Sequence, residues 1–318
     1  MAAAVQQLCA AWTDGSWAWE RGGPVNALFA GEQTARASVA QAAHAALQSA
    51  GVTGAAQVVA AYVSAPGLAP ASAAAGLALA GIQGNTPTCE GDERSALYSS
   101  FAAGAGVVVL AGTGSFAIGR APDGRVETAG GYGPVFGDEG SGYSIGVAGL
   151  RLLGRVLDGI APWGPLARRL AADLGVSTPA ELRHRVYGNG FGRREIAALA
   201  VPISSLAGGE RPDGEACRIM DAAAAALAEL AAALGGKLGL SGSRFPVAMV
   251  GGLRQAGTPL MGPFERHLRQ LEPRAQLVEP LLPPLGGAIL VALERAGVPL
   301  SESLLARLQQ SLAQASGV

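Results

Sequence analysis

Residues 106–143 read GVVVLAGTGSFAIGRAPDGRVETAGGYGPVFGDEGSGY, and the fold turns on this stretch. The Val107-Val108-Val109-Leu110 core is short, apolar and without helical period, which predicts a strand covered on both faces. It runs into Gly112-Thr113-Gly114-Ser115, and Pro122-Asp123-Gly124 follows shortly after, so two consecutive hairpins are expected. Glycines at such a turn let backbone N–H groups come close to an anion, and the two hydroxyls add donors. Taken alone, the same four residues more often make an ordinary tight turn. Next come Gly130-Gly131-Tyr132-Gly133 and Gly137-Asp138-Glu139-Gly140-Ser141-Gly142. Adjacent carboxylates among so many glycines can orient polyol hydroxyls or hold a metal. They can also simply sit at a helix start, where the macrodipole favours them. More glycine than one turn needs favours a ligand site.

Outward from this stretch, residues 143–157 carry a helical pattern. Thr178-Pro179-Ala180-Glu181 is a capping box with proline at the first helical position. A long helix is expected over residues 215–234, stopped by Gly235-Gly236. Residues 247–250 predict a buried strand leading into Gly251-Gly252, a turn that suits close approach by a nucleotide but is weak alone. A short strand at 277–278 and helices over 287–296 and 302–313 complete this half. Upstream, Asp14-Gly15 predicts a hairpin over residues 12–21. Residues 34–50 read as a helix ended by Gly51, and 57–63 as a buried strand. In Gly91-Asp92-Glu93-Arg94, Asp92 reads first as a helix N-cap, and second as a general base at a strand end. Strands alternating with helices, with hairpins in the middle, give an α/β fold with a mixed sheet.

Composition narrows the function. The 318 residues are 49% hydrophobic and 15% charged, enough for a sizeable core. A net charge of −1 and the lack of a basic, aromatic-laced cluster argue against nucleic acid. Cys9, Cys89 and Cys217 have neither metal-ligand spacing nor a disulfide framework, so no metal site is expected and a reducing compartment is. The amino terminus has no charged n-region and no long apolar h-region. Apolar runs such as 222–234, interrupted by Glu229, read as too short to span a bilayer. The expectation is a cytoplasmic protein with no membrane partner. His44, His184 and His267 fall on expected helices among Ala, Arg or Leu, as surface residues and not ligands.

Taken together, the ordered run from Gly112 through Gly130 to Tyr143 resembles the N-acetylglucosamine kinase / BadF-BadG-BcrA-BcrD ATPase family of the actin–hexokinase superfamily. Weaker similarity continues through residues 178–187, Val250-Gly251-Gly252 and residues 284–290. The resemblance implies two ribonuclease-H-like lobes around a central cleft. Residues 1–103 with a returning helix at 301–318 would form one lobe, and 104–300 the other. It implies that Gly112, Thr113, Gly114 and Ser115 form the second phosphate loop for ATP. Gly251, Gly252 and Gly286 would then be adenosine-side turns. Asp92 takes the position of the catalytic base, and Asn26, Gly131, Asp138 and Ser141 those of sugar-binding residues. The activity implied is phosphorylation of an amino sugar, N-acetylglucosamine to its 6-phosphate, with ATP and Mg2+; many relatives are homodimers, which leaves the oligomeric state open between monomer and homodimer.

One departure stands against the pattern. Members of that family open with D-G-G-G-T-x-T, the first phosphate loop, and no such motif occurs in the 318 residues. Residues 5–12 resemble the second strand, so the expectation is a sequence that starts downstream of the first. Asp92, the 112–115 turn and Asp138 are all in place, which favours that reading over a lineage that lost catalysis. The competing functions are a sugar-binding pseudokinase acting as a sensor, and an ATPase activator of the BadF type. The second would use cysteines to hold an iron–sulfur cluster, and the three here do not match that arrangement.

Overall fold

The computed structural model describes residues 7–11, 17–21, 31–49, 51, 56–58, 60–64, 68–84, 87–188 and 190–316. It divides the chain into two compact units, Met1–Gly104 with Pro280–Val318, and Ala105–Glu279.

The first unit opens with strands β1 (Gln7–Ala11) and β2 (Trp17–Arg21), paired antiparallel with Gln7 opposite Arg21. The Asp14-Gly15 turn expected between them, and Asn26, lie outside the described residues. Helix α1 (Glu32–Ser49) follows. The run at 57–63, expected as one strand, is two short ones, β3 (Ala56–Val58) and β4 (Tyr62–Ser64). After helix α2 (Pro70–Leu79), β5 (Ile82–Gly84) pairs parallel with β3, and β6 (Thr88–Glu90) pairs parallel with β4. Ala35, Val39 and Ala43 of α1 bury against Ala73 and Leu77 of α2. Gly76 permits this approach, because a Cβ there would lie 2.9 Å from the Arg36 carbonyl oxygen. Helix α3 (Glu93–Phe101) then leads out of the unit.

The second unit holds a five-stranded sheet and most of the core. Strands β7 (Gly106–Ala111), β8 (Ser115–Arg120) and β9 (Val126–Gly130) form the two expected hairpins, with Ala111 opposite Ser115 and Phe116 opposite Gly130. Helix α4 (Gly142–Leu157) is capped by Ser141, whose Oγ accepts the Ser144 N–H at 3.2 Å. Next come α5 (Pro165–Leu174), α6 (Pro179–Tyr187), α7 (Arg193–Ala198), α8 (Ala200–Ala207) and α9 (Gly214–Lys237). The capping box at Thr178 forms as expected. Strand β10 (Phe245–Val250), helix α10 (Thr258–Leu271) and strand β11 (Ala275–Val278) complete the order β11-β10-β7-β8-β9. β10 runs parallel to both β7 and β11.

Helix α9 corrects two expectations. It continues through Gly235 and Gly236, and the chain turns instead at Gly239, in the left-handed region with φ +70°. Glycine inside a helix costs about 1 kcal/mol relative to alanine. Here the position is shaped by packing, since a Cβ on Gly235 would lie 2.9 Å from the Phe245 ring. The same helix, Gly214–Lys237, is long and apolar enough to cross a membrane, contrary to the reading of that run as too short. Its Ala216, Met220, Ala224, Leu227 and Ala231 are buried in the core of this unit.

The chain returns to the first unit at Pro280, with helices α11 (Pro284–Arg295) and α12 (Glu302–Ser316). The second boundary thus falls before α11, not at residue 301 as expected. The reason is α11's packing against α3: Tyr98 and Ala102 share a core with Leu285, Ile289, Leu290 and Leu308. The Tyr98 hydroxyl also donates to Glu294.

Candidate functional site

Strands β7 and β10 are parallel neighbours, so their carboxyl ends lie side by side, with Val250 opposite Leu110. Ligands of open α/β sheets bind at the carboxyl ends of strands, and this end gathers most of the sequence-predicted residues. Gly112 follows β7 and Gly251 follows β10. Gly251 has φ +99°, and a Cβ there would overlap the Ala111 carbonyl oxygen, so only glycine brings the two strand ends this close. Gly252 begins a short 3-10 helix, Gly252–Ala256. The β9 end reaches the same place, where the Gly131 N–H donates to the Ser115 carbonyl at 3.1 Å.

The turn at 112–115 is built so that some donors are used and others are free. Gly112 N–H donates to the Gly114 carbonyl at 2.9 Å, closing the turn. Carbonyls of Gly112 and Thr113 accept from Gly142 N–H at 2.8 Å and Tyr143 N–H at 3.2 Å, which ties the turn to the start of α4. Ser115 is buried and fully engaged. Its N–H donates to Asp138 Oδ1 at 3.2 Å, and its hydroxyl donates to the Glu139 carbonyl at 2.6 Å. The N–H groups of Thr113 and Gly114, and the Thr113 hydroxyl, have no acceptor among the described residues, and Thr113 is exposed. Thr113 and Gly114 therefore present the open donors, while Ser115 anchors the loop that follows.

Asp138 is 3% exposed and adopts φ +60°, the left-handed region that few non-glycine residues enter. Its carboxylate holds it there, through the Ser115 N–H on one oxygen and the Arg193 guanidinium on the other. Each oxygen has one donor within this unit, and a carboxylate oxygen has a further lone pair with which it can accept from a ligand hydroxyl. Ser141 is likewise fully buried, its Oγ used as the α4 cap. Beyond Gly131, Tyr132 and Phe136 stack with ring centroids 5.7 Å apart and are exposed together with Val135, giving the site an apolar lip.

Arg193 was not foreseen from the sequence. It heads α7, 55 residues from Asp138, and nothing in its local pattern marks it. Two glycines of α4 seat it. A Cβ on Gly142 would lie 3.3 Å from the Ala197 carbonyl oxygen, and one on Gly146 would overlap that of Ile196. These positions, four residues apart, form a bare strip into which α7 packs. A Cβ on Gly114 would lie 2.6 Å from the Arg193 guanidinium, so the third glycine of the group keeps the turn open to that side chain.

Asp92 and Gly286 belong to the other unit. Asp92 follows β6, at the carboxyl end of the parallel β4–β6 pair, where the Ser64 hydroxyl donates to the Gly91 carbonyl at 3.3 Å. It stands at the N-cap position of α3 but caps nothing, since its side chain accepts no helix N–H. That overturns the cap reading and leaves the carboxylate available. Burial, reinforced by the neighbouring Glu93 carboxylate, pushes its pKa above the ordinary aspartate value, against a smaller downward pull from its own backbone N–H. Gly286 forms no turn. It lies inside α11, where a Cβ would meet Leu282 at 2.7 Å and Leu312 at 2.9 Å, and Gly287 beside it touches the α3 backbone at Ser95. Both are packing glycines.

Among the described residues no group of three or more His, Cys, Asp and Glu side chains could hold a metal ion. A magnesium ion carried by phosphates needs no such cage, because it keeps its waters and takes one or two carboxylates.

Several known proteins resemble this chain. An N-acetylmuramic acid/N-acetylglucosamine kinase of Clostridium acetobutylicum is 27% identical over 187 residues, covering 59% of this chain and 60% of that protein. An N-acetyl-D-glucosamine kinase of Dictyostelium discoideum is 29% identical over 189 residues, 59% of each chain. The chain thus spans about three-fifths of the curated relatives it matches. Among solved structures, a proposed N-acetylglucosamine kinase of Chromobacterium violaceum aligns with a TM-score of 0.68 at 28% identity, over 86% of this chain and 90% of that one. A ROK family glucokinase of Streptomyces griseus, solved with glucose and AMPPNP, aligns with a TM-score of 0.52 at 16% identity over 89% and 93% of the two chains, a likeness of fold alone. With two α/β units, the fold is of the actin/hexokinase-like ATPase type. The model of one family matches residues 14–292, and the chain belongs to it: the BadF/BadG/BcrA/BcrD ATPase family.

Proposed function

We propose that this protein is an ATP-dependent kinase of an amino sugar, converting N-acetylglucosamine to its 6-phosphate. The observation that carries the reading is the 112–115 turn, with the Thr113 and Gly114 N–H groups open at the carboxyl end of β7 beside Gly251. Free backbone donors at a glycine turn suit a phosphate chain. Relatives described as kinases of N-acetylglucosamine and N-acetylmuramic acid support the choice of substrate class.

In this reading the two units are the lobes of the kinase, with the return to the first lobe at Pro280. Asp92 accepts the proton of the sugar's 6-hydroxyl as that oxygen bonds the γ-phosphorus and the bond from phosphorus to ADP breaks. Its burial raises its basicity, which suits the task. Thr113 and Gly114 hold the phosphate oxygens and stabilise the charge spread over them in the loose transition state. Magnesium, when bound on the phosphates, neutralises part of that charge. Asp138 and the Gly131 backbone orient sugar hydroxyls, and the exposed Tyr132–Phe136 pair covers an apolar face of the sugar ring.

Phosphorus NMR of the protein with MgATP and N-acetylglucosamine, glucosamine or glucose tests the assignment. A sugar 6-phosphate signal growing fastest with N-acetylglucosamine is expected. Inorganic phosphate as the sole product, with every sugar, would overturn it.

A further inference from the structure

Arg193 is unaccounted for by the reaction as described, and three observations converge on it. Its guanidinium pairs with buried Asp138. It also lies against the 112–115 turn, where a Cβ on Gly114 would come within 2.6 Å of its Nη2. Its Nε is buried and has no acceptor. A buried donor without a partner costs about 1–3 kcal/mol, so it is retained where something else offsets the loss. The side chain as a whole is 35% exposed, so it is not sealed in the core.

We propose that Arg193 is the cationic member of this phosphate-binding turn. One N–H of its guanidinium holds Asp138, and the rest of the fork meets the oxygens of the nucleotide's phosphate chain. This rests on the reading of the 112–115 turn as a phosphate loop. The chemistry fits the residue type. A planar guanidinium can bond a carboxylate and a phosphate from different edges at once, whereas an ammonium cannot offer that fixed geometry. The turn also needs a positive charge. Asp138 places a carboxylate at the Ser115 N–H, and without Arg193 that carboxylate would repel an incoming polyphosphate. The glycines at 114, 142 and 146 then share one purpose, since each clears the space through which α7 brings Arg193 to the turn.

Calorimetry on the whole chain, with ATP, ADP and adenosine as the probes, separates a phosphate contact from a structural strut. The readout is the ratio of ATP to adenosine affinity in the wild type, in Arg193→Ala and in Arg193→Gln. Glutamine keeps an N–H for Asp138 but carries no charge, so it stays interpretable if the alanine variant fails to fold. We expect both variants to lower the ratio ten-fold or more while adenosine affinity stays within two-fold. In turnover, KM for ATP rises more than KM for the sugar. An unchanged ratio, with or without a lower Tm, overturns the proposal and leaves Arg193 a strut for Asp138. A wild type that binds ATP no better than adenosine overturns it too. A wild type that binds ATP well and phosphorylates no sugar counts against the kinase assignment instead, because the Arg193 ratio is read without turnover.

Discussion

Asp92 and Asp138 are both aspartates next to a glutamate, and their surroundings set them to different tasks. Asp138 has both oxygens bound and is buried among partners that tolerate its left-handed backbone. Asp92 is half-buried with a carboxylate that caps no helix, and burial raises its pKa. A base must be ionised to act, so kcat/KM should fall as pH drops through that elevated value. The acid limb is expected above the ordinary aspartate range, and in Asp92→Asn turnover disappears while sugar affinity stays within a few-fold. Stability follows the opposite sense. The folded chain holds the Asp92 proton more tightly than the unfolded chain, so this group's contribution declines as pH rises between the two pKa values. Asp92→Asn is therefore expected to be no less stable than the wild type at neutral pH, and loss of turnover through unfolding would show as a lower Tm. Asp138→Ala removes the partner of Arg193 and places alanine at φ +60°. A loss of about 2 kcal/mol is expected in denaturant melts, together with weaker sugar binding by calorimetry. Unchanged sugar affinity would remove Asp138 from the sugar site.

Helix contacts in this protein are set by where side chains are missing. Gly76 lets α2 meet α1, Gly142 and Gly146 let α7 meet α4, and Gly287 lets α11 meet α3. Each added methyl would strike backbone, which cannot swing aside as a side chain can. Gly287→Ala should cost about 3 kcal/mol, the upper part of the range for overpacking, and lower Tm without changing the pH profile. Gly146→Ala carries a second consequence, because pushing α7 away withdraws Arg193 from the 112–115 turn. ATP affinity should fall with stability in that variant, whereas Thr178→Ala, at the start of α6 and outside this contact, should lose about 1 kcal/mol of stability with ATP affinity unchanged.

Over the whole molecule, what could be read from the residue order depended on how local the cause was. Strand β7, the hairpins after it, the start of α4 and the Thr178 cap all follow from apolar runs, turn residues and caps a few positions apart. Gly235-Gly236 read as a helix stop because a glycine pair usually is one, and Gly286, beside Gly287, as a turn by the resemblance. Here distant packing partners, Phe245 and the α3 backbone, keep both pairs inside helices. The same distance hid Arg193, which meets Asp138 only because α7 folds back onto α4. Of the candidate site, the 112–115 turn, Gly131, Asp138, Ser141 and Gly251-Gly252 come together at one end of the sheet in the second unit.

Sugar phosphorylation from ATP is decided by ADP release measured with and without N-acetylglucosamine, for the wild type and Asp92→Asn side by side. Release is expected to rise at least ten-fold with the sugar in the wild type, with none above background in the variant. ADP release indifferent to every sugar, or sugar-stimulated release that survives Asp92→Asn, would contradict it.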